Sequence, residues 1–212
     1  MRHCAILMAA GLSSRFGGGN KLLAPFRGKP LVYHTLDLAC TMGFEGIFII
    51  YNDEEVARLA RNAILNSSKT GVPVTAVYNP APEKGQGESA RLGVQAAGTG
   101  PAYYLFMPCD QPFLDAATVG LLLDAAQPGH IVEPCCPDNR ECNRSPSLFC
   151  ASFRDELLAL KPGEQPRLLK SRHPQAVISI EITNPIVLTD IDTREAMNNA
   201  IAQEMRSPIR NR

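Results

Sequence analysis

Residues 6–23 read ILMAAGLSSRFGGGNKLL and join an apolar run to a glycine-rich segment. The apolar run over residues 3–9 predicts a buried first β-strand. Glycines after a strand allow sharp turns and let backbone N–H groups approach a ligand closely. Because Arg15 and Lys21 add two positive charges to this segment, we expect the ligand to be a polyphosphate. The sequence therefore predicts a nucleoside triphosphate site directly after the first strand.

Two common phosphate-binding loops do not fit this segment. A P-loop has four residues between its first glycine and a Gly-Lys-Ser/Thr sequence. Here five residues separate Gly11 from Gly17, and Lys21 is followed by Leu22 instead of a hydroxyl residue. The dinucleotide fingerprint Gly-x-Gly-x-x-Gly also fails, because Leu22 stands where the third glycine belongs. The segment therefore predicts a phosphate loop of another kind.

The order of patterns along the chain favours an α/β fold. Apolar stretches of strand length alternate with stretches of helical periodicity, which is typical of three layers: a mostly parallel sheet with helices on both faces. The predicted strands cover residues 3–9, 46–51, 73–78, 102–107, 131–133, 148–150, 177–182 and 186–188. The predicted helices cover residues 31–42, 53–65, 88–97, 115–126, 152–160 and 165–171, and a last helix begins near Thr193.

Length and charge limit the classes of partner. A chain of 212 residues is long enough for one domain with a substantial core. The formal net charge is zero, and acidic and basic residues are interspersed, so we expect no nucleic-acid partner and no anionic membrane surface. No apolar run approaches the roughly 20 residues that span a bilayer. We expect a cytoplasmic protein.

The seven cysteines are irregularly spaced, which favours free thiols in a reduced compartment over a disulfide framework. Cys135, Cys136 and Cys142, with His130 nearby, suggest a zinc site at first sight. Their spacing matches no standard zinc pattern. We therefore expect unpaired thiols here.

An acidic residue directly follows the predicted strand over residues 102–107. The chain continues there as Pro108-Cys109-Asp110-Gln111. Ligands of open α/β sheets bind outside the carboxyl ends of the strands, so we expect Asp110 at the same edge as the phosphate loop. A carboxylate that faces a triphosphate needs a cation between them, and Mg²⁺ prefers carboxylates, phosphate oxygens and water. The alternative is an aspartate that caps a turn.

The first motif resembles the Ala-Ala-Gly-x-x-x-Arg-hydrophobic-Gly…Lys signature of nucleotidyltransferases with the GT-A-like Rossmann fold. This resemblance implies that Arg15 and Lys21 act in catalysis. It also implies that they bind the nucleotide together with Ala9, Ala10 and Gly11. The alternative is a glycine-rich turn whose basic residues are incidental.

The same resemblance extends to a predicted helix start. Residues 87–93 read GESARLG and resemble a Gly-x-Ser-x-x-x-Gly element that approaches the base and ribose in these enzymes. Free N–H groups and the Ser89 hydroxyl at a helix N-terminus suit such polar groups. Asn79, just before this segment, is the predicted base contact. The alternative is an ordinary capped helix.

Two acidic motifs carry the implied metal site. Asp110 resembles the aspartate of the family's Gly/Cys-Asp-x-Pro element, which implies a catalytic and metal-binding role. Residues 190–196 resemble the family's Asp-Ile-Asp-Thr-Pro-Glu-Asp, with Arg194 in place of proline. Of Asp190 and Asp192, we expect only one to reach the metal. The resemblance favours Asp192 with Asp110 for Mg²⁺, and a helix cap is the alternative.

Taken together, the motifs resemble the molybdenum cofactor cytidylyltransferase group. This resemblance divides the chain into a nucleotide half, roughly residues 1–115, and an acceptor half, roughly residues 116–212. In the acceptor half, residues 145–149 and 163–169 and the pair His173-Pro174 resemble family elements. Arg144 and Ser145 depart from the family's glycine and histidine, so the acceptor side matches less closely.

The resemblance implies transfer of CMP from CTP to a molybdopterin acceptor that carries molybdenum, with release of pyrophosphate. Ala10 favours CTP, because guanylyltransferase relatives usually show Gly-Gly where this chain has Ala-Ala-Gly. Enzyme alternatives are a guanylyltransferase or a cytidylyltransferase for a small phosphorylated alcohol. A different alternative is a non-catalytic protein that binds the nucleotide or cofactor and hands it to a molybdenum hydroxylase.

Overall fold

The computed structural model describes residues 2–67, 71–136 and 142–206. Within these residues, seven strands form one sheet and two short strands form a hairpin. The strands are β1 (His3–Ala9), β2 (Pro25–Phe26), β3 (Lys29–Pro30), β4 (Gly46–Tyr51), β5 (Val74–Tyr78), β6 (Tyr103–Pro108), β7 (Ile131–Cys135), β8 (Ser147–Cys150) and β9 (Val177–Glu181). The α-helices are α1 (Val32–Thr41), α2 (Glu54–Ser67), α3 (Gln86–Ala97), α4 (Ala116–Asp124), α5 (Arg154–Leu158), α6 (Arg167–Arg172) and α7 (Arg194–Arg206).

The sheet is mostly parallel, and helices pack around it as predicted. Its strand order is β5-β4-β1-β6-β8-β7-β9, and β8 runs antiparallel to both of its neighbours. Four consecutive residues of β1, Cys4 to Leu7, are at most 1% exposed. Since successive side chains point to opposite faces, both faces of the sheet are covered at β1.

The parallel register brings three strand ends to one edge. Ala9 pairs with Tyr51 of β4, and Met8 pairs with Pro108 of β6. The segments that follow β1, β4 and β6 therefore leave the sheet at the same edge. This register places the phosphate segment beside the chain that carries Asp110.

Helix α3 packs closely against the central strand. A Cβ atom added at Gly93 would lie 2.4 Å from Cγ2 of the fully buried Ile6. Only glycine allows the helix backbone to approach β1 at this distance. This contact helps to fix the helix whose first turn was predicted to face the nucleotide.

Two local predictions were wrong. The predicted strand over residues 186–188 is a 3-10 turn, Pro185–Leu188. Pro185 has no N–H for a sheet ladder, and the Asn184 side chain accepts a hydrogen bond from the Ile186 N–H, which starts the turn. The β2–β3 hairpin was not predicted. It turns through Arg27 and Gly28, both with positive φ, a conformation that suits a two-residue hairpin loop.

The prediction of free thiols was wrong for two of the seven cysteines. Cys136 and Cys142 form a disulfide with their Cα atoms 5.9 Å apart. Cys136 directly follows β7 and Cys142 precedes β8, and a disulfide can bridge the distance between their Cα atoms. The five remaining cysteines are free. Across the described ranges, no three His, Cys, Asp or Glu side chains cluster in a way that could hold a metal ion.

No helix in the described residues has both the length and the apolar character needed to cross a bilayer.

Candidate active site

The phosphate segment is held by its own polar side chains. The Ser13 hydroxyl accepts a hydrogen bond from the backbone N–H of Lys21 at 3.1 Å. The Asn20 side chain accepts from the Leu22 N–H at 3.0 Å and donates to Asp53 after β4 at 3.1 Å. Residues 17–19 all have positive φ, which is why the sequence has glycine at each of these positions. These hydrogen bonds and backbone conformations set the shape of the segment.

The centre of the site is the ammonium group of Lys21. Its Nζ lies 2.6 Å from Asp110 Oδ2 and 2.8 Å from Asp192 Oδ1. Arg15 reaches the other oxygen of Asp192 with its Nη2 at 3.0 Å. The structure thus brings together four of the predicted site residues from three distant parts of the chain. Their charges cancel when no ligand is bound.

The two carboxylates control the protonation of Lys21. Burial opposes its positive charge, but the charges and hydrogen bonds of Asp110 and Asp192 outweigh burial and raise the pKa of the ammonium. Burial also disfavours the charged form of Asp192. The hydrogen bonds and charges of Lys21 and Arg15 outweigh that burial, so the pKa of the carboxyl group lies below its usual value. Lys21 and Asp192 are therefore both charged at neutral pH where they face each other.

Asp190 is turned away from this group. Its Oδ2 accepts a hydrogen bond from Asn143 Nδ2 at 2.6 Å. Its Oδ1 is buried and has no hydrogen-bond partner in the described part of the chain. Burial, followed by the negative charge of Asp110, raises the pKa of Asp190 to about 7. Of the two aspartates on either side of Ile191, only Asp192 therefore contacts Lys21.

Backbone contacts fix Asp110 against the acidic segment. The Ile191 N–H donates to the Asp110 carbonyl oxygen at 2.9 Å, and the Ile191 side chain is fully buried. The buried side chain of Gln111 donates to the carbonyl oxygens of Ser145 and Leu188, both at 3.2 Å. These contacts tie the end of β6 to the loops that carry Asp192 and Arg144.

The site contains residues that the sequence did not predict. Arg194 donates to the Gly18 carbonyl oxygen at 3.2 Å, and its guanidinium lies 5.0 Å from the centre of the Phe16 ring. Helix α7 therefore holds the phosphate segment through Arg194. The only indication of this role in the sequence was that Arg194 stands where the family has proline. There was no such indication for Ser13, Asn20 and Gln111, because their hydrogen bonds form only once the fold brings the partners together.

Asn79 directly follows β5, and Ser89 lies in the first turn of α3. The Asn79 amide donates to the Ser89 hydroxyl at 3.0 Å and accepts from the Ala81 N–H at 2.9 Å. Asn79 is completely buried, and Ser89 is 5% exposed. This arrangement uses both ends of the Asn79 amide to hold the turn before α3. The contact of Asn79 with a nucleotide base stays a prediction.

Two cavities are lined by chain segments next to the residues of the charged group. The first has a volume of about 320 Å³ and is lined by residues that include Gly11, Ser13 and Asn20. A Cβ atom added at Gly11 would meet no atom within 4 Å, so the space before its backbone is open. The second cavity has a volume of about 330 Å³ and is lined by residues that include Asn143 and Asp190. Ala9 and Ala10 are buried, and neither residue lines the first cavity.

The carboxylates of Asp110 and Asp192 fit the ligand preference of Mg²⁺. They converge on one point, now held by Lys21 Nζ, and their side chains are 20% and 32% exposed. Mg²⁺ in nucleotide sites takes one or two carboxylates and completes its shell with phosphate oxygens and water. Two partly exposed carboxylates next to an open cavity meet that requirement.

Comparisons with known proteins place this chain in a family. Residues 5–177 match the family model of the MobA-like NTP transferase domain. A nicotine blue oxidoreductase of Paenarthrobacter nicotinovorans is 29% identical over 197 residues, which cover 91% of this chain and 93% of that protein. A molybdenum cofactor guanylyltransferase of Cupriavidus pinatubonensis is 30% identical over 164 residues, which cover 74% and 75% of the two chains.

A solved structure of a nucleotidyl transferase from Methanothermobacter thermautotrophicus has the same fold. It superposes with a TM-score of 0.78 at 20% identity and covers 97% of this chain and 99% of its own. Together with the match over residues 5–177, these findings show that the chain belongs to the MobA-like NTP transferase family and is a nucleotidyltransferase.

Proposed function

We propose that this nucleotidyltransferase transfers CMP from CTP to the terminal phosphate of a molybdopterin-type acceptor carrying molybdenum. The observation that carries the proposal is the Lys21 ammonium held between Asp110 and Asp192, with Arg15 beside them. Cations bind the phosphates of a triphosphate, and paired carboxylates bind its divalent metal ion. This combination next to an open cavity supports a triphosphate substrate.

The proposed reaction needs no general base. A phosphate monoester has its second pKa near about 6, so the acceptor phosphate is a dianion at neutral pH. One of its oxygens attacks the α-phosphorus of CTP and forms a new P–O bond. The bond from the α-phosphorus to the bridging oxygen breaks, and pyrophosphate leaves with that electron pair. The sequence agrees, because no histidine lies in the first motif or beside Asp110.

Catalysis then consists of positioning and charge stabilisation. Lys21 would turn from its carboxylates to the phosphates and neutralise charge that builds up during transfer. Arg15 and the backbone N–H groups near Gly11 would bind the departing pyrophosphate. Asp110 and Asp192 would hold Mg²⁺, which neutralises phosphate charge when bound.

The choice of base is tested by equilibrium binding of CTP, GTP, ATP and UTP with Mg²⁺. We expect CTP to bind about tenfold more tightly than GTP, a difference of about 1.4 kcal/mol. Ala10 supports this order, because its methyl group replaces the second glycine typical of guanylyltransferases. GTP is the competing substrate, since one relative is named a guanylyltransferase. Tighter binding of GTP would overturn the choice of CTP.

Pyrophosphate release separates the transfer from other roles. We expect CTP, Mg²⁺ and molybdopterin to yield one pyrophosphate for each dinucleotide formed. Binding without release would instead indicate an accessory protein that passes the cofactor to a molybdenum hydroxylase. Reduction of a substrate without pyrophosphate release would indicate an activity like the one in the name of the nicotine blue relative.

A further inference from the structure

A charged cluster lies between β7 and helix α6 and has no part in the proposed binding of CTP. Glu133 on β7 is 3% exposed, and it faces two cations. Its Oε2 lies 2.8 Å from Lys170 Nζ, and its Oε1 accepts a hydrogen bond from Arg144 Nη1. Two cations thus share one buried carboxylate, so the cluster carries one surplus positive charge.

Lys170 cannot present that charge to a ligand. Besides Glu133, its ammonium donates to the Ser147 hydroxyl at 2.7 Å and to the Arg144 carbonyl oxygen at 3.0 Å. These two hydrogen bonds and the ion pair with Glu133 surround the ammonium, and its side chain is 14% exposed. Lys170 therefore fixes the backbone of Arg144.

Arg144 is placed differently. Its side chain is 49% exposed, and only one of its nitrogens has a hydrogen-bond partner among the described residues. A guanidinium group has five N–H donors in a rigid plane, so a pair of donors remains for a ligand. The surplus positive charge of the cluster is therefore presented by Arg144.

The neighbours of Arg144 connect it to the candidate active site. Asn143 donates to Asp190, and the Ser145 carbonyl oxygen accepts from Gln111, the residue after Asp110. Asn143 and Asp190 also line the second cavity. Arg144 thus stands on the loop that borders this cavity.

We infer that Arg144 binds the phosphate of the acceptor substrate at the second cavity, and that Glu133 and Lys170 are its positioning residues. This inference rests on the proposed function, because it names the binding site of the acceptor, the second substrate of that reaction. Arginine binds phosphate through two parallel N–H···O bonds, which also orient the group. The buried carboxylate holds the guanidinium in place, and the surplus charge attracts a dianion.

The test uses phenyl phosphate, a phosphate monoester, as the acceptor probe. It is titrated into the full chain saturated with Mg²⁺ and a CTP analogue that has a methylene group between the α- and β-phosphorus. We expect Arg144→Gln to weaken phenyl phosphate binding by about 10- to 100-fold and to leave binding of the CTP analogue unchanged. Arg144→Lys keeps the ion pair with Glu133 but cannot bind in the two-point manner, so we expect a smaller loss of at least about threefold.

Arg58→Gln is the matched control, since Arg58 pairs with Glu55 on the distant and exposed surface of α2. It should bind both ligands like the unchanged chain. The inference would be overturned if the unchanged chain did not bind phenyl phosphate. It would also be overturned if folded Arg144→Lys bound phenyl phosphate as tightly as the unchanged chain. Failure of the CTP analogue to bind would instead overturn the proposed function. Titration of phenyl phosphate without nucleotide would then still test Arg144.

Discussion

Lys21→Ala should lower the rate of pyrophosphate release by about 100- to 1000-fold at saturating CTP and Mg²⁺. Lys21 is buried between two carboxylates, and only its side chain has to turn for the ammonium to reach the phosphates of a bound triphosphate. A cation held inside the protein stabilises developing phosphate charge without the cost of reorganising bulk water around it. Alanine removes that cation and leaves the negative charges of Asp110 and Asp192 uncompensated beside the phosphates.

The effect of Lys21→Ala is measured by steady-state pyrophosphate release from purified protein. Lys29→Ala is the matched control, because Lys29 also pairs with an aspartate, Asp37, but on the exposed surface. We expect the control to retain nearly full activity. Near-normal turnover by folded Lys21→Ala would remove Lys21 from the catalytic group.

Asp110→Asn should cause a loss of the same size, about 100- to 1000-fold. Asparagine has nearly the same shape, and the Asp110 carbonyl oxygen keeps its bond to the Ile191 N–H, so the backbone stays in place. The substitution removes the charge that faces Lys21 and that we propose as a ligand of Mg²⁺. We therefore also expect a higher Mg²⁺ concentration at half-maximal rate.

A titration of the rate against Mg²⁺ concentration checks this second prediction. Asp190→Asn is the control, since Asp190 lies close by but bonds to Asn143 instead of Lys21. Its Mg²⁺ dependence should match that of the unchanged chain. An unchanged Mg²⁺ dependence in Asp110→Asn, or a shift of equal size in Asp190→Asn, would contradict the assignment of the metal ligands.

The part of the fold that could be predicted is the part that follows from local patterns. Strands β1, β4 and β6 are apolar and buried, so their limits were predicted within a residue or two. Because parallel strands end at a common edge, Lys21 and Asp110 could be expected near each other without knowledge of the sheet order. The resemblance added Asp192, which no local pattern would have separated from Asp190.

The features that were missed depend on contacts between distant residues. Arg194 lies 176 positions from Gly18, and the cluster around Glu133 depends on the return of helix α6 to β7. Neither leaves a periodic signal. The buried amide of Asn79 likewise depends on contacts that the sequence did not predict. Its two hydrogen-bonding ends hold the turn before α3, a role that a polar residue at this edge does not reveal by itself.

A crystal structure with Mn²⁺ and the non-hydrolysable CTP analogue, with manganese located by anomalous scattering, tests the triphosphate site most directly. We predict that the manganese coordinates carboxylate oxygens of both Asp110 and Asp192. The triphosphate should contact Lys21, Arg15 and the backbone of Gly11. A triphosphate bound elsewhere, or manganese that contacts neither aspartate, would contradict the central claim.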